Sequence, residues 1–311
     1  MSLKKKKDII IHIGLPKTGT TFLQTKVFPF LNNVFERNSQ LIYEYKQTPF
    51  DDLINGKFKT FNQKDFEYFK NEIYKFINES VKESTILISR EQYSRYMHWM
   101  KHDEINEILF KRLKEIFPNA KFFFVVRKQD EWVDSVYNQQ VKQPELNIPD
   151  FNKFIAYRAG KFYRNEQYLD IQNTNWCNII ESIENKFGKD SVFTLPYEMF
   201  KENPDEFLRK FYEHFNIEPF YPTQKELLNY RQKLLPLPIM KKYNSLKKHL
   251  PNKLRIFVDK NDRGLQKFFY ERIQKLSKEQ TKRIMQMHRE NNKKLSEHIG
   301  IDLSQYGYYR K

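Results

Sequence analysis

The sequence contains a single cysteine, Cys177, among its 311 residues. One cysteine cannot form an internal disulfide or supply a metal cluster, so we predict a reducing compartment in which Cys177 is a buried, inert thiol. The sequence also lacks any apolar run long enough to cross a bilayer. The run behind the lysines of MSLKKKKDIIIHIG is too short for the core of a secretion signal. These absences predict a cytoplasmic protein.

Positive charge is abundant: 55 Lys and Arg face 39 Asp and Glu, which leaves a formal charge of +16. Such a balance favours an anionic partner, whether nucleotide, acidic glycan, phospholipid surface or nucleic acid. The alternative is a compositional bias spread over solvated faces. A hydrophobic content of 39% and an aromatic content of 16% exclude a disordered chain and allow a substantial core.

Short apolar runs recur along the first two thirds of the chain. They are DIIIHIG at 8–14, TILIS at 85–89, KFFFVVR at 121–127 and SVFTLPY at 191–197. Because these runs are nearly unbroken rather than alternating, they predict strands buried on both faces of a parallel sheet. Between them lie segments such as DEINEILFKRLKEIF, in which apolar residues return every three or four places, as in a helix. This alternation predicts an α/β fold.

After Glu198 the strand-like runs stop, and the remaining sequence has helical periodicity, from PDEFLRKFYEHF to predicted helices around 239–250 and 264–298. We therefore predict one domain over 1–311, with an α/β nucleotide-binding core at 1–217 and a helical C-terminal part at 218–311. The aromatic stripe in FEYFKNEIYKF has helical spacing, which predicts core packing rather than a binding surface.

The stretch GLPKTGTT, residues 14–21, lies between the first predicted strand and a helix-like segment. A glycine-containing loop in this place presents backbone N–H groups to a phosphate. An ATP-binding loop carries its lysine directly after the second glycine. Here Thr20 follows Gly19, and the lysine is Lys17, inside the loop. This displacement argues against a kinase or ATPase.

The six residues PKTGTT resemble the loop by which sulfotransferases bind PAPS, 3′-phosphoadenosine 5′-phosphosulfate. The resemblance implies a P-loop-type three-layer fold and PAPS as co-substrate, with no metal. It also implies that Lys17 contacts the bridging oxygen and the 5′ phosphate, and that the following loop residues surround the phosphate. Those residues are Thr18, Gly19, Thr20 and Thr21.

A second element of the same family is an arginine at a strand end, followed eight residues later by a serine, which together grip the 3′ phosphate. The segment FFFVVRKQDEWVDSVYNQQ supplies this pair as Arg127 and Ser135. Arginine can hold a phosphate through two parallel hydrogen bonds. The stretches ILISREQY, FTLPYEMFKENPDEFLRKFYEHFNI and NNKKLSEHIGIDLSQYGY also resemble bacterial carbohydrate-type members. Arg231 and Lys233, in the connector NYRQKLL, match only loosely the region of relatives that closes over the nucleotide.

A hydroxyl acceptor must lose its proton, so sulfuryl transfer needs a base. By resemblance this is Glu91, which follows the strand TILIS and is expected at the carboxyl edge of the sheet. The alternative is that Glu91 pairs with Arg90 or Arg95 at the surface. Other candidate bases are His98, His102 and His12, and we expect His12 to be a core histidine.

Two tryptophans, Trp132 and Trp176, are candidates to flank the adenine or an acceptor sugar, although we expect both to pack in the core. The resemblance implies an acceptor hydroxyl on a glycan or glycolipid. Because Lys and Arg are scattered through every predicted helix, we expect no nucleic-acid partner, while the basic surface is available for peripheral contact with a membrane. Two other hypotheses remain: an ATP-dependent small-molecule kinase and a basic nucleic-acid-binding module.

Overall fold

A computed structural model describes most of the chain. The described residues are 2–38, 48–55, 58, 60–91, 93, 104–140, 174–223, 246, 249–251, 254 and 276–310. The chain divides into two compact units: the first comprises residues 1–128, 175–228 and 290–311, and the second 129–174 and 229–289. The predicted division after residue 217 stays a prediction.

The first unit contains a five-stranded sheet in which all neighbouring strands are parallel. Its strands are β1 (Asp8–His12), β2 (Val34–Asn38), β3 (Thr85–Ser89), β4 (Lys121–Val126) and β5 (Val192–Pro196), in the spatial order β2-β3-β1-β4-β5. From β1 the chain builds β2 and β3 on one side, and it then crosses to build β4 and β5 on the other. The order of the strands therefore reverses between β1 and β4, which is where open α/β sheets bind ligands.

The helices are α1 (Thr20–Phe22), α2 (Pro49–Asn55), α3 (Gln63–Ser80), α4 (Glu104–Ile116), α5 (Gln129–Gln140), α6 (Trp176–Phe187), α7 (Tyr197–Glu202), α8 (Pro204–Phe215) and α9 (Lys278–Ile299). A π-helical segment, Leu23–Val27, and a 3-10 turn, Phe28–Phe30, continue α1. Asparagine side chains cap α3, α6 and α8 by accepting a backbone N–H bond at Asn62, Asn175 and Asn203. No helix in the described ranges is long and apolar enough to cross a membrane.

Strand β4 shows why the sheet sequences are so apolar. All its residues except Lys121 are buried, and successive side chains point to opposite faces of the sheet. On one face Phe122 contacts Phe187 of α6, with ring centroids 4.6 Å apart. On the other face Phe123 contacts Phe211 of α8 at 4.8 Å. Helices therefore cover both faces, which confirms the predicted α/β class.

The four predicted strands are present, and the segment predicted as PDEFLRKFYEHF is helix α8. Strand β2, the edge strand VFERN on one side of the sheet, was not predicted, and its first four residues are only half-buried. The stripe in α3 packs in the core as predicted, with Phe66, Phe69 and Ile73 buried. Of the predicted later helices, α9 is present and covers the later part of 264–298. Residues 239–245, 247, 248 and 264–275 lie outside the described residues, and 249–250, at the end of the other predicted helix, form a turn.

Candidate active site

The loop of residues 13–19 follows β1 and leads into α1. Gly14 is needed there because a Cβ atom would lie 2.7 Å from Nε2 of His12 and 2.9 Å from Oγ1 of Thr20. Two later positions have left-handed backbone conformations, with φ of 69° at Lys17 and 82° at Gly19. Glycine adopts the left-handed conformation without strain, whereas the same conformation costs free energy at Lys17 because this residue has a side chain. The loop is thus a tight, partly strained turn.

A hydroxyl group of the loop and one from the first residue of α1 bind the same internal acceptor. Oγ1 of Thr18 donates to the Leu15 carbonyl at 2.5 Å, and Oγ1 of Thr20 donates to it at 3.2 Å. Both threonines are buried, whereas Thr21 is exposed. The Leu15 carbonyl, an acceptor that would repel an anion, is therefore turned into the loop and satisfied there.

Arg127 directly follows β4, the strand next to β1, and is only 5% exposed. Its Nη1 atom donates to the Lys17 carbonyl at 2.8 Å. Its guanidinium lies 4.8 Å from the ring centroid of Tyr197, and its own carbonyl accepts a 2.8 Å bond from the indole of Trp176. The arginine is thus fixed on several sides, and it joins the β1 loop to the end of β4.

Three charged groups influence one another at this edge. The side chain of Lys17 keeps a solvent-exposed surface, but partial loss of water around its ammonium group lowers its pKa. The carboxylate of Glu91 raises this pKa, and the positive charge of Arg127 lowers it. Glu91 lies in the turn after β3 and is half-buried. The backbone of that turn is held by the Arg90 N–H, which donates to the His12 carbonyl at 2.8 Å.

A sequence model of the Sulfotransferase family matches residues 9–222, more than half of the chain. The chain belongs to the sulfotransferase family. It is therefore a transferase of sulfuryl groups, and the family predicted from PKTGTT is confirmed. The bacterial carbohydrate subtype stays a prediction.

Three sulfotransferases are among the solved structures to which this chain is similar. One from Alicyclobacillus acidocaldarius is 15% identical, with a TM-score of 0.46 and coverage of 83% of this chain and 94% of the other. A mouse sulfotransferase complexed with PAP is 14% identical, with a TM-score of 0.38 and coverage of 81% and 70%. A sulfotransferase domain from the curacin biosynthetic pathway is 15% identical, with a TM-score of 0.38 and coverage of 74% and 79%. No curated protein sequence matched the chain.

Most predicted site residues of this sulfotransferase lie in the first unit, at the carboxyl edge of its sheet. They are Lys17, Thr18, Gly19, Thr20, Thr21, Glu91 and Arg127. Ser135 is a half-buried residue of α5, in the second unit. His98, His102, Arg95, Arg231 and Lys233 lie outside the described residues.

The expected core residues are buried as predicted. Trp132 and Trp176 are 0% and 1% exposed, and Cys177 is a buried free thiol. His12 is also 0% exposed, and burial lowers its pKa to about 3, so the imidazole is neutral. Among the described residues, no three His, Cys, Asp or Glu side chains lie together as a metal site would require.

A support behind Arg127 was not predicted from the sequence. The next residue, Lys128, donates its backbone N–H to Oε1 of Glu198 at 3.1 Å, and Oε2 of the same carboxylate accepts a 2.8 Å bond from the hydroxyl of Tyr308. Both Glu198 and Tyr308 are buried. The C-terminal segment of this sulfotransferase thus fixes the backbone that carries Arg127. Glu198 and Tyr308 are 110 residues apart, and no local pattern reveals such a pair.

Proposed function

We propose that this enzyme transfers the sulfuryl group of PAPS to an acceptor hydroxyl by in-line displacement. The loop after β1 binds the 5′ phosphosulfate, with Lys17 at the bridging oxygen. Arg127 and Ser135 bind the 3′ phosphate. Glu91 is the base for the acceptor. The backbone of Thr18, Gly19, Thr20 and Thr21 contributes N–H donors to the phosphate.

The observation that carries this proposal is the 2.8 Å hydrogen bond from Arg127 to the Lys17 carbonyl. PAPS has phosphate groups on both the 5′ and 3′ positions of one ribose, so its site needs two cationic elements side by side. The loop after β1 and the arginine after β4 meet this requirement at the switch point of the sheet. ATP has no 3′ phosphate, and its recognition gives no reason for a buried arginine at this position.

The charges of the site are suited to the reaction. As the acceptor oxygen bonds to sulfur, the bond from sulfur to the bridging phosphate oxygen breaks, and negative charge grows on the departing PAP, adenosine 3′,5′-bisphosphate. An ammonium group at that oxygen stabilises the growing charge, and Lys17 has this role. The proton of the acceptor passes to Glu91, whose charge already acts on Lys17.

We propose a carbohydrate or glycolipid as the acceptor and the cytoplasm as the site of action. The acceptor class is supported by the resemblance to bacterial carbohydrate-type members and by the formal charge of +16, which suits an acidic glycan or lipid surface. The buried free thiol Cys177 is compatible with a reducing compartment.

Parallel incubations with sulfur-labelled PAPS and with γ-phosphate-labelled ATP test the proposal. Water-soluble glycans and a lipid extract serve as separate acceptor pools, and Glu91→Gln is the inactive control. We expect label to move from PAPS to one acceptor pool, and only with the wild-type enzyme. Transfer from ATP instead of PAPS would contradict the proposal and favour a kinase. Tight, salt-dependent binding of unspecific DNA without affinity for PAP would favour the nucleic-acid-binding alternative.

A further inference from the structure

A row of buried polar residues lies beneath the loop. His12, Ser89 and Asn38 are the last residues of β1, β3 and β2, and the strand register places Ser89 opposite both of the others. All three are 0% exposed. Gln24, from the π-helical segment that follows α1, is also 0% exposed and joins this row. Four buried polar side chains are costly unless they are hydrogen-bonded.

The hydrogen bonds of this row connect the sheet to the helix behind the loop. Nε2 of Gln24 donates to Oγ of Ser89 at 2.9 Å and to the Ser89 carbonyl at 3.3 Å. Nδ2 of Asn38 donates to the Gln24 carbonyl at 2.9 Å. Gln24 is therefore held by β3 through its side chain and by β2 through its backbone. This fixes the start of the helical segment relative to the strand ends.

His12 continues the row toward the loop. Its Nδ1 atom lies 2.7 Å from Oγ of Ser89. Since this oxygen already accepts the Gln24 amide, its own proton is available for Nδ1, and that arrangement leaves the imidazole proton on Nε2. Nε2 is buried and has no hydrogen-bond partner among the residues that the structure describes. A neutral imidazole with this tautomer is a buried N–H donor.

The orphaned donor faces the underside of the loop. The point where a Cβ of Gly14 would lie is 2.7 Å from Nε2 of His12 and 2.9 Å from Oγ1 of Thr20, so these two atoms lie no more than about 5.6 Å apart, on either side of that point, and are not hydrogen-bonded to each other. Thr20 donates to the Leu15 carbonyl over a long 3.2 Å, while Thr18 already satisfies the same carbonyl at 2.5 Å. The Thr20 proton can leave that bond at little cost.

We propose that His12 is a positioning residue for the bound 5′ phosphate and acts through Thr20. When the anion enters the loop, the Thr20 side chain moves toward the imidazole, gives its hydroxyl proton to a bond with a phosphate oxygen and accepts the Nε2–H of His12. The donors then point in one direction, from Gln24 through Ser89, His12 and Thr20 to the anion. Such a chain strengthens each of its bonds. This inference rests on the proposed function, because it assumes that the loop binds the 5′ phosphate.

Two substitutions of His12 distinguish the roles of its two ring nitrogens, and calorimetric titration measures the affinity of each variant for PAP. His12→Asn keeps a group near the Nδ1 position but removes the donor toward the loop, and we expect PAP affinity to fall about tenfold. His12→Gln places an amide N–H near the Nε2 position, and we expect it to retain most of the affinity. Equal affinities of both variants and the wild type would overturn the inference.

Thr20 supplies the coupling test, which a purely structural role of His12 would not satisfy. We expect Thr20→Val to weaken PAP binding and Thr20→Ser to preserve it. Adding His12→Asn to Thr20→Val should cause no further loss, whereas losses that multiply would contradict the proposed chain. Thr25→Val is the matched control, because the Thr25 hydroxyl donates to the Thr21 carbonyl at 2.7 Å and takes no part in the row; its PAP affinity should match wild type.

A spectroscopic measurement on the wild-type protein remains decisive if the His12 variants do not fold. In a long-range proton–nitrogen NMR spectrum we expect neutral His12 with the proton on Nε2, and a shift of that nitrogen on addition of PAP. A proton on Nδ1, or no change with PAP, would overturn the inference. A wild-type protein that does not bind PAP at all would instead refute the proposed function, so the two failures are distinguishable.

Discussion

Replacing Arg127 by methionine removes two contacts of this side chain, and binding of two different ligands measures the loss of each contact separately. Methionine keeps an unbranched chain but removes the bond to the Lys17 carbonyl and the predicted bond to the 3′ phosphate. Loss of the loop contact is expected to cost about 1.5 kcal/mol, or about tenfold, for any 5′ nucleotide. Loss of the 3′ phosphate contact adds about 2 kcal/mol for PAP alone, which gives a total of about 300-fold.

Calorimetric titration of PAP and of AMP, which lacks the 3′ phosphate, resolves the two effects. We expect Arg127→Met to weaken AMP about tenfold and PAP about 300-fold. The matched control, Ser135→Ala, should weaken PAP but not AMP. Unchanged AMP binding would refute the anchoring of the loop by Arg127, and equal losses for both ligands would refute its assignment to the 3′ phosphate. Thermal unfolding without ligand shows whether the variant is folded.

Three further predictions follow from charge and burial. Glu91→Gln should abolish transfer and move the alkaline limit of PAP binding to lower pH, because the Glu91 carboxylate raises the pKa of Lys17; a limit that stays in place would contradict their proximity. Burial raises the pKa of Glu36 from 4.5 to about 7, so its contribution to stability is present at acid pH and is lost as pH rises through 7. The free energy of unfolding of Glu36→Gln, measured with urea, should therefore be higher than that of wild type by up to ~3 kcal/mol above pH 7 and equal to it at acid pH. Parallel pH profiles of the two proteins would refute the raised pKa of Glu36. Tyr308→Phe leaves the buried Glu198 carboxylate without its hydroxyl donor and should lower stability by about 2 kcal/mol in thermal unfolding. Tyr309→Phe, which loses a half-buried contact to Ser296, should have a smaller effect, and equal effects would refute the special role of Tyr308.

The features that sequence analysis predicted are those with local signals. PKTGTT has its spacing within six residues, and Arg127 directly follows a strand whose apolar run is unbroken. Four of the strands also have a clear local signal, because parallel strands that are covered on both faces are nearly continuous apolar runs. Strand β2 was not predicted because VFERN has just two apolar residues and its first four residues are only half-buried, whereas the other edge strand, β5, has more apolar residues and a buried second half.

The supporting network depends on which strands become neighbours. His12 and Ser89 are 77 residues apart and meet only because β3 pairs with β1 in a particular register. Gln24 looks like an ordinary polar helix residue in the sequence, yet it is fully buried between two strand ends. The position of His12 as a core histidine near the loop was predicted from the sequence, but its closeness to Thr20 depends on three-dimensional packing.

The central claim is that the loop after β1 and Arg127 after β4 bind the two phosphates of a PAPS-type nucleotide. Thermal unfolding of the wild-type protein with PAP and, in parallel, with ADP tests it most directly, because a ligand selective for the native state raises the unfolding temperature by mass action. We predict a larger rise with PAP than with ADP at equal concentrations. An equal or larger rise with ADP would contradict the two-phosphate site.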